Sequence, residues 1–315
     1  MIKRFARLYP LHFFTLIVGL LYAVARLIAH KAGLPLLEAG EAIPLTADSH
    51  ENLGTFLSNL TLTQGLGLHD RLSYNGPSWS ISTEFFTYII FAAVMIVLPI
   101  KKTWHFVVIG SLSALIYFGL SVIRPNLDIT YDLGLIRCFG GFGAGIVAAA
   151  IFQKTRSFYA GQSKLTATAI ELLVTVTFLI WFCLADAKAT FLVAPFMILL
   201  IITFANDRGA LSSVMNLPIF QYLGKISYSV YLNHALIAVV LDVVIAQLLG
   251  GQDALSPLVG DMMTLIYLAI VLVTSHITYH MIEKPVGTFL RTRLLKAKPE
   301  IARAPTEPRP RVRQA

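Results

Sequence analysis

Residues 75–99 read Asn75-Gly-Pro-Ser-Trp79-Ser80-Ile-Ser-Thr-Glu84-Phe-Phe-Thr-Tyr88-Ile-Ile-Phe-Ala-Ala-Val-Met-Ile-Val-Leu-Pro99. A turn-forming opening hands the chain to an apolar run close to the roughly 20 residues that cross a bilayer as a helix. Glu84 is carried into that run. A carboxylate there costs about 2.5–3.5 kcal/mol on insertion scales, so it marks a functional site by default. Ser80, Glu84 and Tyr88 recur at i, i+4 and i+8, which lines them along one face of the helix. Trp79 falls at the mouth, where amphipathic rings gather at the boundary of water and lipid.

The rest of the chain repeats the pattern. Eight apolar runs of similar length can be traced, at roughly 11–29, 80–99, 104–122, 133–152, 166–184, 190–205, 227–249 and 262–282. The 315 residues are 56% hydrophobic and 13% charged, about half the charged share of a soluble domain. These features predict an all-α polytopic membrane protein with about eight transmembrane helices. Cys138 and Cys183 lie in or beside apolar runs and support neither a disulfide framework nor a metal site. The net charge of +8 does not point to nucleic acid, because nine of the 25 basic residues lie in the last 32 positions and the others mostly in short loops.

Those loops predict an orientation. The segments 1–10, 100–103, 153–165, 206–226 and 283–315 hold 19 Lys and Arg, against 5 in the alternate segments 26–79, 123–132, 185–189 and 250–261. Positive-inside logic then places both termini in the cytoplasm of a multi-pass cell-membrane (plasma or inner-membrane) protein. The first run lacks a cleavage site and reads as a retained helix. The long outer loop contains a mildly apolar stretch, Leu53–Leu68, that reads as a re-entrant or interfacial piece. The domain organisation is a membrane domain over 1–290 and a basic, Pro- and Arg-rich disordered tail over 291–315 set against anionic lipid.

Several constellations could carry chemistry. Arg4 and Arg7 stand one helical turn apart before the first span, suited either to a phosphate or to a positive-inside anchor. Arg137 opens a glycine-rich run, but no strand precedes it. Gly141 and Gly145 at i, i+4 read as close helix packing rather than a phosphate loop. Ser227, Tyr231 and His234 share a face of an otherwise apolar helix, as structural hydrogen-bonders or as site residues. His276 and His280 have the spacing of a metal pair but no third ligand at matching spacing, so no metal is expected. Glu283 is one turn from Tyr279, and Pro285 is expected to end the helix there.

In order along the chain, Arg4-Phe-Ala-Arg7-Leu-Tyr-Pro, Trp79-Ser80-Ile-Ser-Thr-Glu84 with Tyr88, Ser227-Tyr228-Ser-Val-Tyr231-Leu-Asn-His234, and Tyr279-His-Met-Ile-Glu283-Lys-Pro resemble four motifs of the membrane acyltransferase-3 family. The resemblance implies a ten-helix bundle that moves an acyl group, commonly acetyl, from cytoplasmic acyl-CoA to a hydroxyl of an extracytoplasmic glycan or lipid-linked sugar. It implies acyl-CoA as a donor substrate rather than a bound cofactor, with Arg4 and Arg7 facing its phosphates. Glu84 would position or polarise the acceptor hydroxyl, while Tyr231, His234 and Glu283 would line the cavity between. It also implies two further helices before the Arg4 segment, bearing a His that acts as general base. As written the chain lacks them, and the expectation is a start lying upstream or an inactive relative. His12, five residues past Arg7, lies in a different motif. Two other classes stay open: a transporter or flippase for a lipid-linked carrier, and a non-catalytic partner in polysaccharide assembly.

Overall fold

The computed structural model describes residues 2–34, 41–98, 100, 102–251 and 255–296, and among them every regular element is helical. Helix α1 spans Ile2–Lys31, α2 Leu53–Leu60, α3 Trp79–Val97, α4 Thr103–Ile123, α5 Gly134–Ala160 and α6 Lys164–Leu184. They are followed by α7 Val193–Phe204, α8 Ala210–Met215, α9 Pro218–Leu249, α10 Pro257–Thr278 and α11 Lys284–Lys296. The boundaries follow from local chemistry. Asn52 and Thr55 form a reciprocal capping box at the start of α2, and the Ser163 hydroxyl accepts from the Thr166 N–H to start α6. Prolines at the first turn start α9 and α10. Gly250, at φ 79°, takes the left-handed conformation that closes α9.

Seven helical stretches among the described residues are long and apolar enough to cross a membrane. Large apolar side chains face outward, among them Leu165 at 81% and Leu184 at 79% exposure, while Ser229, Ser275, Thr87 and Asn233 are buried. Such an arrangement suits lipid, where helices associate through small and polar residues rather than through hydrophobicity. The sixth apolar run, at 190–205, opens irregularly. Residues 188–192 tighten into a 3-10 turn, held by Asp186 accepting from the Ala189 N–H at 2.7 Å, so α7 proper keeps only 12 residues.

The close packing expected of Gly141 and Gly145 falls instead to their neighbours. Gly140 and Gly143 are the buried pair against α4, where the Ser113 hydroxyl donates to the Gly140 carbonyl at 2.6 Å, whereas nothing approaches Gly145. Pro285 does not end its helix. A π-turn, Tyr279–Glu283, shifts the hydrogen-bond register, and Pro285 becomes the second residue of α11, where its missing N–H is tolerated. Helix α11 runs on to Lys296, into the segment expected to be a disordered tail; residues 297–315 lie outside the described residues. Pro10 inside α1 has no N–H to offer the Ala6 carbonyl. Helix α11 approaches that carbonyl so closely that a Cβ on Gly287 would fall 2.8 Å from its oxygen.

The long loop after α1 folds onto the bundle. Arg26 is shared by Glu41 and Glu51. Burial pushes the Glu51 carboxyl up, an effect that the Arg26 charge only partly opposes. Beyond α2, the Ser82 hydroxyl donates to the Leu62 carbonyl at 2.5 Å and accepts from the Gly65 N–H at 3.1 Å. Gly65 is required there, since a Cβ would fall 2.5 Å from the Trp79 carbonyl. The loop then reaches Leu232, about 21 Å from the start of α9 at 1.5 Å per residue, where the buried Asn75 amide donates to its carbonyl at 3.0 Å. This irregular backbone therefore sits at the middle of a spanning helix, where protein rather than lipid surrounds it.

Candidate functional site

Four elements converge where that loop enters α3. An apolar floor of Leu8, Leu11, Leu62, Ile81 and Leu232 underlies them, with Phe85, Tyr228 and Ile282 packed against it. Above it the Tyr228 phenol donates to the Leu8 carbonyl at 2.6 Å. The charges of Glu283, Glu84 and Arg7 and the Tyr231 phenol all act on Tyr228. Phe85 and Ile282, the chain neighbours of Glu84 and Glu283, pack with Tyr228 on that floor, so α3, the π-turn and α9 meet α1 there. Tyr228 entered only as a supporting motif residue, and its bond to the Leu8 carbonyl ties α9 to α1 at this convergence.

Glu84 is half-buried and accepts from the Tyr88 hydroxyl at 2.5 Å, as their shared helix face predicts. Ser80 does not join this pair, because its hydroxyl turns back to the Pro77 carbonyl at 3.1 Å. Arg4 lies 5.0 Å above the Tyr88 ring, a cation–π placement. The two arginines diverge: Arg4 leans on α3, whereas Arg7 acts on Glu283 and Tyr228, and both remain exposed. Glu283 is 5% exposed and accepts from the Ser229 hydroxyl at 2.7 Å.

Tyr231 donates to the Pro77 carbonyl at 3.0 Å, closing the α3 entry onto α9. The His234 Nδ1 lies 2.7 Å from the Tyr231 carbonyl oxygen. A carbonyl only accepts, so Nδ1 is the donor and Nε2 is left to face away from this bond. Ser227 spends its hydroxyl on the Gly224 carbonyl at 3.0 Å and does not share in the group. Trp79 packs against Gly134, with Arg137 5.3 Å above its ring, so its part is to brace α3 against α5. Tyr279 opens the π-turn and meets the His280 ring edge-on. The Tyr222 hydroxyl bonds His276 Nδ1 at 2.5 Å, and no cluster of three His, Cys, Asp or Glu suited to a metal occurs among the described residues.

Other polar residues escape sequence reasoning. Ser229 fixes Glu283, and Asn233 donates to Thr278 at 2.8 Å across the α9–α10 contact. His12, 1% exposed, has Nε2 2.9 Å from the Asn59 carbonyl and ties α1 to α2; its Nδ1 is buried without a partner. Glu171, 2% exposed in α6, accepts from the N–H groups of Gly209, Leu211 and Ser212 and from the Ser212 hydroxyl. The test that singled out Glu84, an acid inside an apolar run, would also have found Glu171. Its four donors make it the anchor of α8. No local period announces the others.

A family model described as an acyltransferase domain matches residues 1–280. Neither a curated protein nor a solved structure gives a match to this chain.

Proposed function

Because the chain belongs to the membrane acyltransferase-3 family, we propose that its acyl transfer runs from a cytoplasmic acyl-CoA, with acetyl the expected group, to a hydroxyl of an extracytoplasmic glycan or lipid-linked sugar. The observation that supports this reading most directly is the convergence of α1, α3, α9 and the π-turn, which carry Arg7, Glu84, Tyr231 and Glu283, on the apolar floor beneath Tyr228. Acyl transfer from a thioester needs a bound anionic carrier, an oriented hydroxyl and a place for its proton. Arg4 and Arg7, exposed at the start of α1, would meet the phosphates of the donor. Glu84, oriented by Tyr88, would accept a hydrogen bond from the attacking hydroxyl and sharpen its oxygen as a nucleophile. The oxygen–acyl bond forms as the carbon–sulfur bond breaks, and the hydroxyl proton ends on the departing thiolate. Tyr231, His234 and Glu283 would line the path between donor and acceptor. His234 Nε2 would be able to hold the proton in transit.

Radiolabelled acetyl-CoA supplied to membranes containing the full chain tests the reading. Glu84→Gln is expected to lower incorporation into glycan by at least about 100-fold, the low end for loss of a positioned acid–base group, with insertion unchanged. The double change of Arg4 and Arg7 to Lys keeps charge but loses the fork, so it is expected to raise the donor KM more than it lowers kcat. Full activity in the Glu84 variant would remove that carboxylate from the site.

A further inference from the structure

Away from this site, the end of the bundle where α5 and α7 stop holds a cavity of about 430 Å³ lined by Phe152, Arg156, Ala160, Ala205, Asn206 and Arg208. We propose that it binds a phosphate ester, and that the headgroup of a membrane phospholipid is its occupant. The inference is independent of the acyl-transfer reading.

Two guanidinium groups reach the cavity from different elements, Arg156 from the last two turns of α5 and Arg208 from the turn before α8. Both are exposed, and neither forms an ion pair among the described residues. Arg208 is braced by donating to the Gln162 carbonyl at 3.3 Å, which aims the group without neutralising it. The neighbouring acids are engaged elsewhere. Asp207, at φ 51°, accepts from Asn216 at 2.6 Å, and Glu171 is consumed by the start of α8. The carboxyl-terminal ends of α5 and α7 each contribute roughly half a negative charge, which two whole positive charges exceed. Planar guanidinium forks match phosphate oxygens two at a time.

The grading of side chains favours a lipid over a soluble phosphate. Phe152, Arg156 and Ala160 follow at i, i+4 and i+8 along one face, about 6 Å apart at 1.5 Å per residue. They place an aromatic ring deeper, a cation next and a small residue outermost. That is the order of acyl chain, phosphate and headgroup in a phospholipid. The same two helices carry exposed apolar side chains, Ile151 on α5 and Leu199 and Ile201 on α7, at 38%, 51% and 49% exposure.

Native mass spectrometry of the full chain in detergent, titrated with phosphatidylglycerol, phosphatidylcholine or inorganic pyrophosphate, tests the proposal. One phosphatidylglycerol per chain is expected to bind, weakened about tenfold by Arg156→Gln or Arg208→Gln alone, the equivalent of one charged hydrogen bond, and further by both. The single variants keep the result readable if the double variant fails to fold. Arginine-dependent binding of pyrophosphate that displaces the lipid would keep the phosphate site and overturn the lipid as its occupant. Lipid and pyrophosphate binding that neither substitution alters would overturn the site itself.

Discussion

At the scale of single residues, Glu283 shows how the candidate site is held. Its carboxylate is almost sealed from solvent and rests on one hydroxyl, Ser229, itself fully buried. Ser229→Ala leaves an acceptor without its donor, at a cost of about 1–3 kcal/mol. A lowered melting temperature is expected, and the loss should shrink when Glu283 is already Gln, since a double-mutant cycle isolates the pair. Equal losses in both backgrounds would show that Ser229 acts by packing alone. Glu84 and Tyr88 were legible in the sequence because both partners lie on one helix, four residues apart. Ser229 was not, because its partner stands 54 residues away across a helix contact. The part of Tyr228 was not legible either, because its partner, the Leu8 carbonyl, lies 220 residues away.

Among the elements, the outer loop carries a pH dependence of definite sign. Glu51 sits with Glu41 on the single guanidinium of Arg26, and burial raises its pKa above the ordinary value of 4.5. A raised folded-state pKa means that the fold holds this proton more tightly than the unfolded chain does. The stabilisation is complete below about 4.5 and is lost as pH rises through the raised value. Limited proteolysis of residues 41–75 is expected to quicken from pH 4.5 towards neutrality, and Glu51→Gln should flatten that profile. Slower cleavage at higher pH would contradict the assignment. Among the elements, the spanning helices were legible from apolar length alone. The run at 190–205 was legible as a helix, but hydropathy does not register the Asp186 bond that tightens the chain ahead of α7. Pro285 misled because the π-turn, a property of packing, changed which carbonyl needed its missing N–H.

For the whole molecule, the 19-to-5 division of basic residues predicts an even number of crossings, whereas seven stretches among the described residues are long enough on their own. The 3-10 turn and α7 together reach about 28 Å, at roughly 2.0 Å and 1.5 Å per residue, close to a hydrocarbon core of about 30 Å. Reporter fusions after Lys31, Asp186 and Lys296 are therefore expected to place Asp186 with Lys31, and Lys296 on the opposite side. Lys296 on the Lys31 side would mean that α7 does not cross. The hydrogen bonds at the centre of the bundle bear also on how such a chain is made. Asn75 donates to Leu232, Tyr231 to Pro77 and Tyr228 to Leu8, contacts that join parts of the chain 157, 154 and 220 residues apart. While a ribosome is still delivering α4 to α8, the buried amide of Asn75 has no carbonyl to meet. Loop closure of that reach is slow compared with helix insertion. The candidate site therefore assembles late, and a nascent chain released before α9 carries every early helix but not the site.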